Sequence, residues 1–254
     1  MSLNWFFIKD FQPWEIAAVI VSALFIGMAK TGLNGITAVM VPITAIIFGA
    51  KESTGIMLPM LCFADIVAVI WYRRNAEWKH ILRLLPWALG GLLLALWVER
   101  FIPAKGFKFL IGVCIFAGLG VMLWNDIRGK DAKVPARWWF AAAFGLMGGF
   151  STMIGNAAGP IMSVFLLSMR LPKESFVGTA AWFFMIINYT KIPLQIFFWH
   201  NITARGLLFN ICMVPIILVG AGLGILLVKK ASEKIYRVLV YAMTIISASL
   251  LFVV

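Results

Sequence analysis

The chain is poor in almost everything that a water-facing surface requires. Of its 254 residues only 13% are charged, just 10 are acidic and 2 are histidine. A soluble domain of this size needs polar cover for its own surface, and here 63% of residues are hydrophobic, with mean hydropathy +0.98. Lipid is the solvent that fits. The scarcity of histidine also disfavours enzyme chemistry, because His80 and His200 both fall at interfaces and no His-Glu-x-x-His, phosphate loop or Ser-His-Asp set is present. Three cysteines, Cys62, Cys114 and Cys212, lie in apolar stretches without the paired spacing of a disulfide or metal site, so neither metal nor cofactor is expected. The amino terminus lacks a basic start and an Ala-x-Ala site, so the first apolar segment is expected to serve as the insertion signal.

What the chain does contain is long apolar runs without strand alternation. Backbone in hydrocarbon must satisfy its own hydrogen bonds, which leaves helices or a closed barrel, and runs such as Ile81–Val98 and Phe107–Trp124 select helices. Ten apolar stretches can be marked. The first five are Trp14–Met28, Ile36–Phe48, Gly55–Tyr72, Ile81–Val98 and Phe107–Trp124, and the second five are Trp138–Phe150, Ile161–Met169, Gly178–Trp199, Ala204–Val228 and Ile235–Val254. A polar linker at 126–137 divides them into two halves, about 14–125 and 138–254, of one transmembrane domain. A span needs about 20 apolar residues, and the first two stretches of each half are shorter. Each such pair is joined by a glycine-containing polar loop, Lys30–Gly35 in the first half and Ser151–Pro160 in the second. Either the pairs are short tilted spans, or each is a re-entrant hairpin with its loop inside the membrane, which is the favoured picture.

The halves resemble each other. Adding 122 to a first-half number carries Gly27 onto Gly149, Asn34 onto Asn156 and Lys51-Glu52-Ser53 onto Lys173-Glu174-Ser175. The net charge of +12 lies in short clusters between apolar runs, which is the pattern of the positive-inside rule rather than of nucleic-acid binding. Loops carrying Arg73, Arg74, Arg128, Lys130, Lys173, Lys229 and Lys230 fall on one side, and the other side holds few cations, Lys51 and Arg205 among them. The richer side is expected to be cytoplasmic, with both termini outside. An odd number of crossings per half then inverts the second copy. The expected fold is all-α and polytopic, with two inverted repeats, each a short broken hairpin followed by three transmembrane helices. Inverted repeats with broken helices are typical of secondary transporters that bind near the midplane.

The loops carry the candidate chemistry. Lys30, Thr31, Gly32, Asn34 and Gly35 belong to the first, and Ser151, Thr152, Gly155, Asn156 and Gly159 to the second. Backbone N–H groups at a glycine loop opening a helix, with small hydroxyl and amide donors and one lysine, suit an oxyanion. The plainer reading is that these are ordinary turn residues. Lys191, beside Asn188 and just before Pro193, lies deep in an apolar stretch, where a charge marks a pathway or a pair unless it snorkels. Asp65 is the one acidic residue deep in an expected span; it could pair with Lys30 or Lys191, or shuttle a proton.

Gly27-Met-Ala-Lys-Thr-Gly-Leu-Asn-Gly35 followed by Val41-Pro42, and Gly148-Gly-Phe-Ser-Thr-Met-Ile-Gly-Asn-Ala-Ala-Gly-Pro160, resemble the duplicated signature of the TauE/SafE sulfite exporter family. Pro172-Lys173-Glu174 followed by Gly178-Thr179 is similar to the segment after the second signature. The second loop here, Gly155-Asn-Ala-Ala-Gly159, has fewer glycines than that family often carries. The resemblance implies a permease of the bacterial or archaeal inner membrane for a small sulfur-containing anion, sulfite or an organosulfonate, with binding residues around the two loops. With the cell interior negative, export of one negative charge gains about 2.3 kcal/mol per 100 mV, so export needs no coupled ion. Proton-coupled uptake, an anion channel and a membrane assembly factor are the alternatives.

Overall fold

A computed structural model describes residues 12–34, 36–98 and 138–253. Gly35, the stretch Phe107–Trp124, Cys114 and the linker 126–137 lie outside the described residues. Nine helices occur among the described residues and no strand does: α1 Pro13–Thr31, α2 Thr37–Phe48, α3 Ala50–Tyr72, α4 Trp78–Val98, α5 Trp138–Gly155, α6 Ala158–Ser168, α7 Lys173–Leu194, α8 Ala204–Lys230 and α9 Glu233–Val253. A π-turn, Gln195–Trp199, extends α7. Helices fit because the apolar runs hold no glycine-proline punctuation dense enough to stop them. Pro59, Pro86 and Pro215 are accommodated inside α3, α4 and α8.

Four of these helices are long and apolar enough to cross a membrane: Pro13–Thr31, Lys51–Tyr72, Trp78–Val98 and Ala204–Lys230. The first corrects an expectation. The apolar stretch Trp14–Met28 is too short to span, but α1 has 19 residues and rises about 28 Å, because Pro13 starts it and Ala29, Lys30 and Thr31 extend it. Its start is secured by Pro13 in the first turn and by the Glu15 carboxylate accepting from the Gln12 N–H at 2.8 Å. Its partner α2 has 12 residues, and α6 has 11 against 18 for α5. Each hairpin therefore has one long arm and one short arm. Gly49, at φ 90°, turns α2 directly into α3, a conformation that needs glycine.

Two helix pairs pack backbone against backbone. On α1 and α8, a methyl added to Gly27 would strike the Ile217 carbonyl oxygen, and one on Gly220 would strike that of Leu24. On α5 and α4, Gly149 lies in the same way against Ala88 and Gly91 against Leu146. Small residues permit this approach where no hydrophobic effect drives helices together in lipid. Between the pairs run α3 and α7, while α6 is buried from Ala158 to Leu167. One end of the bundle gathers the 72–78, 170–173 and 229–234 turns: Asn75 Nδ2 donates to Glu174, Lys173 Nζ to the Ala231 carbonyl, and Lys229 sits 4.7 Å from the Trp71 ring centre. At the opposite end of α3, Asn201 Nδ2 donates to the Lys51 carbonyl at 2.9 Å.

Candidate functional site

The site is built where the two hairpins meet α3 and α7. Lys30 and Thr31 are not in a loop, as the glycines around them suggest, but form the last turn of α1; Ser151 and Thr152 likewise belong to α5. The reason is local. The Gly32 and Leu33 N–H groups both close onto the Met28 carbonyl, while the Asn156 N–H reaches the Thr152 carbonyl at 3.1 Å and the Ala157 N–H reaches that of Ser151 at 3.4 Å. These loop amides finish the preceding helices, so they are not free to bind an anion. Around them, side chains supply hydrogen-bond donors.

Those side chains form one connected cluster. Lys30 Nζ stands 2.8 Å from Asp65 Oδ1, and Asn188 Nδ2 donates to Asp65 Oδ2 at 2.6 Å. Lys191 Nζ donates to Asn156 Oδ1, to Thr152 Oγ1 at 3.1 Å and to Asn188 Oδ1 at 3.5 Å. Of the alternatives for Asp65, the partner is Lys30. Lys191 does not snorkel: it is fully buried, and its three donors meet three neutral acceptors. Lys30, Asp65 and Lys191 are the charged side chains buried among the described residues, two cations against one anion, so the cluster carries +1 with both lysines protonated.

A narrow cavity opens among these groups. Lys30, Asn34, Thr152, Asn156, Gly159 and Asn188, all expected site residues, line it together with Thr37, Ala29, Leu61 and Phe184. Asn34 and Asn156, one from each hairpin, thus converge on one space. The Asn34 side-chain amide Nδ2 is buried there without a partner. Phe184 supports Lys30, whose Nζ lies 4.1 Å from the ring centre. The lining therefore combines polar and cationic groups with apolar ones. The cavity's free interior has room for on the order of one water molecule. A bound oxyanion requires the walls to part.

The remaining expected residues among those described stand off the cavity. Thr31 Oγ1 donates to the Gly27 and Ala221 carbonyls, tying α1 to α8. Gly32 packs on Gly224, and its carbonyl accepts from Tyr236 Oη at 2.7 Å. Ser151 is buried with its hydroxyl unpartnered, and Gly155 faces Val41. Asp65 and Lys191 reach the cavity through the residues they hold. Thr37 and Phe184 were not anticipated; helical spacing could have found Phe184, which falls one turn before Asn188 on α7.

Neither curated proteins nor solved structures provide a match to the chain. The family described as Sulfite exporter TauE/SafE matches residues 19–251, a span that takes in both hairpins and every member of the Lys30–Asp65–Asn188–Lys191 cluster. On that coverage, this apolar, all-helical chain belongs to the TauE/SafE sulfite exporter family of membrane transporters.

Proposed function

We propose that the chain is a secondary transporter that exports sulfite or a small organosulfonate, holding it between the two hairpins near the membrane midplane. The observation that carries this reading is the buried cluster of two lysines and one aspartate, in which the first hairpin supplies Lys30 and the second supplies the Thr152 and Asn156 acceptors that hold Lys191. A buried net charge is costly without a counter-charge, and a monoanion beside Lys30 and Lys191 supplies one. Ala29, Leu61 and Phe184 give a small organic substituent apolar surface beside the charges.

Alternating access needs two half-sites of opposite sense, and an inverted duplication provides them. Several contacts support that architecture. Gly27 and Gly149 differ by 122, as do Leu24 and Leu146, while Gly91 and Gly220 differ by 129, as do Ala88 and Ile217. The α1–α8 contacts therefore repeat as α5–α4 contacts, with each half lending its first helix to the other half. The repeats are residues 14–125 and 138–254, in one domain of the bacterial or archaeal inner membrane. The cationic 72–78, 170–173 and 229–234 turns face the cytoplasm, and the termini face outward.

Proteoliposomes loaded with labelled sulfite under an imposed, interior-negative potential test the reading. Efflux is expected to saturate with sulfite and to rise with the potential. Lys30→Ala and Asn156→Ala are each expected to raise KM by about 10- to 100-fold, the worth of one hydrogen bond to a charged group, with folded yield retained for Asn156→Ala. Normal affinity in both variants would remove the site. Flux that never saturates points to a channel, and absence of flux for any sulfur oxyanion removes the transport reading. An unchanged pH profile in Asp65→Asn rules that carboxylate out as a proton coupler.

A further inference from the structure

Beyond the central cluster, α7 carries one more polar side chain on the same face. Asn188, Lys191 and Gln195 follow at spacings of three and four, and the Gln195 N–H still closes onto the Lys191 carbonyl, so the α-helical register persists to that point. Gln195 is fully buried, and both its Nε2 and its Oε1 lack a hydrogen-bond partner. An orphaned amide in an apolar interior is destabilising, and the central cluster makes no use of this one.

Its neighbourhood leads outward from the cluster. Asn156 Nδ2, in the cavity wall, donates to the Thr54 carbonyl at 3.4 Å. Asn201 Nδ2 donates to the Thr54 hydroxyl at 2.9 Å, and the Asn201 N–H reaches the Gln195 carbonyl at 3.4 Å. Asn201 is partly exposed, at the end of the bundle where Lys51 Nζ lies 5.5 Å from the Trp199 ring centre. The π-turn Gln195–Trp199 and His200, at φ 53°, bend the chain around this point, and single π-turns recur at functional positions in helices.

The other direction is closed. Tyr236 Oη donates to the Gly32 carbonyl, the Tyr236 and Phe176 ring centres are 5.8 Å apart, and Leu33 and Val240 are buried. The contacts on that side are mainly aromatic and apolar, whereas Thr54, Gln195 and Asn201 are polar residues linked by hydrogen bonds to one another or to Asn156.

We propose that Gln195 forms a second station for the anion, between the central cluster and the Lys51–Trp199 end of the bundle, beside Thr54 and Asn201, whose own hydroxyl and amide donors are engaged on the Lys51 carbonyl and on each other. Its Nε2 supplies two N–H donors, enough to receive an oxyanion leaving Lys191 without holding it as a full charge would. The proposal rests on the central-site reading given above. It assigns Gln195 to transit rather than to equilibrium affinity.

Two measurements separate these roles: equilibrium binding of sulfite to the detergent-solubilised chain, and sulfite flux in proteoliposomes. Gln195→Leu is expected to lower flux by about 10-fold or more, the loss of a hydrogen bond to a charged group, while its sulfite Kd stays within about twofold of the unmodified chain. Its melting temperature should be unchanged or higher, because an orphaned amide is replaced by an apolar group of similar size. Thr54→Val, which keeps the carbonyl that Asn156 uses, is expected to shift flux in the same direction with Kd retained. Normal flux in both variants, or loss of binding in step with loss of flux, overturns the second station. If the unmodified chain binds no sulfite, the central reading fails and this proposal falls with it; if it binds and Gln195→Leu transports normally, only the second station fails.

Discussion

Replacing Asp65 with alanine is expected to cost the protein most of its folded yield, whereas the double replacement Lys30→Met, Asp65→Leu is expected to restore yield and abolish transport. Asp65 is completely buried and lies 2.8 Å from Lys30 Nζ. Removing one partner of such a pair strands the other charge in a medium without water, a loss of about 3–5 kcal/mol. That is a large part of the roughly 5–15 kcal/mol by which proteins are stable. Removing both partners strands neither member of the pair, Lys191 keeps its neutral acceptors, and well-packed apolar residues of similar volume are often neutral in place of such a pair. Asn188 Nδ2 loses its acceptor in both variants, so recovery should be substantial but incomplete. Thermal unfolding in detergent, with size-exclusion profiles of solubilised membranes, reads the result. Asp65→Ala as stable as the unmodified chain would mean that the pair does not stabilise the fold; a double variant that still transports would mean that Lys30 does not hold the substrate.

The second large effect concerns the helix contacts. Gly27→Ala and Gly149→Ala are expected to lower the melting temperature of the protein sharply and to similar extents. In each case the new methyl meets a carbonyl oxygen of the facing helix, Ile217 for the first and Ala88 for the second. Backbone cannot change rotamer as a side chain would, so the helices must separate. Overpacking of this kind costs about 1–3 kcal/mol or more, and parting α1 from α8 also strains the Thr31 bond to Ala221, 2.8 Å long. Gly222→Ala is the control, because a methyl there finds nothing within 4 Å; it should be neutral or mildly stabilising, as alanine favours helix over glycine by about 1 kcal/mol. A large loss at Gly27 with none at Gly149 would count against equivalent roles for the two contacts, and so against the duplication.

The pattern of apolar runs was sufficient to establish an all-helical membrane chain, because composition and periodicity are properties of the residues alone. The two loops and their asparagines were legible for a related reason: a polar, glycine-broken segment between short apolar stretches has few places to go in lipid. Helix ends were harder to see. Lys30, Thr31, Ser151 and Thr152 look like loop residues beside glycine, yet helices continue through them because Gly32, Leu33, Asn156 and Ala157 spend their N–H groups in capping. That removes these four amides from the donors that an anion could use.

By itself, then, the sequence determined that this protein lives in lipid as helices, that its halves share positions at an offset of 122, and that Lys30, Asp65, Asn156, Asn188 and Lys191 are polar groups in apolar surroundings. Only the tertiary structure decided which of them meet. Asp65 is 35 residues from Lys30 and 123 from Asn188, and Lys191 lies 35 from Asn156. No local propensity acts over such separations. The partners were chosen by the packing of α1 on α8 and α5 on α4 around α3 and α7, which brings two lysines and one aspartate into a single buried space, Lys30 on Asp65 and Lys191 on neutral acceptors.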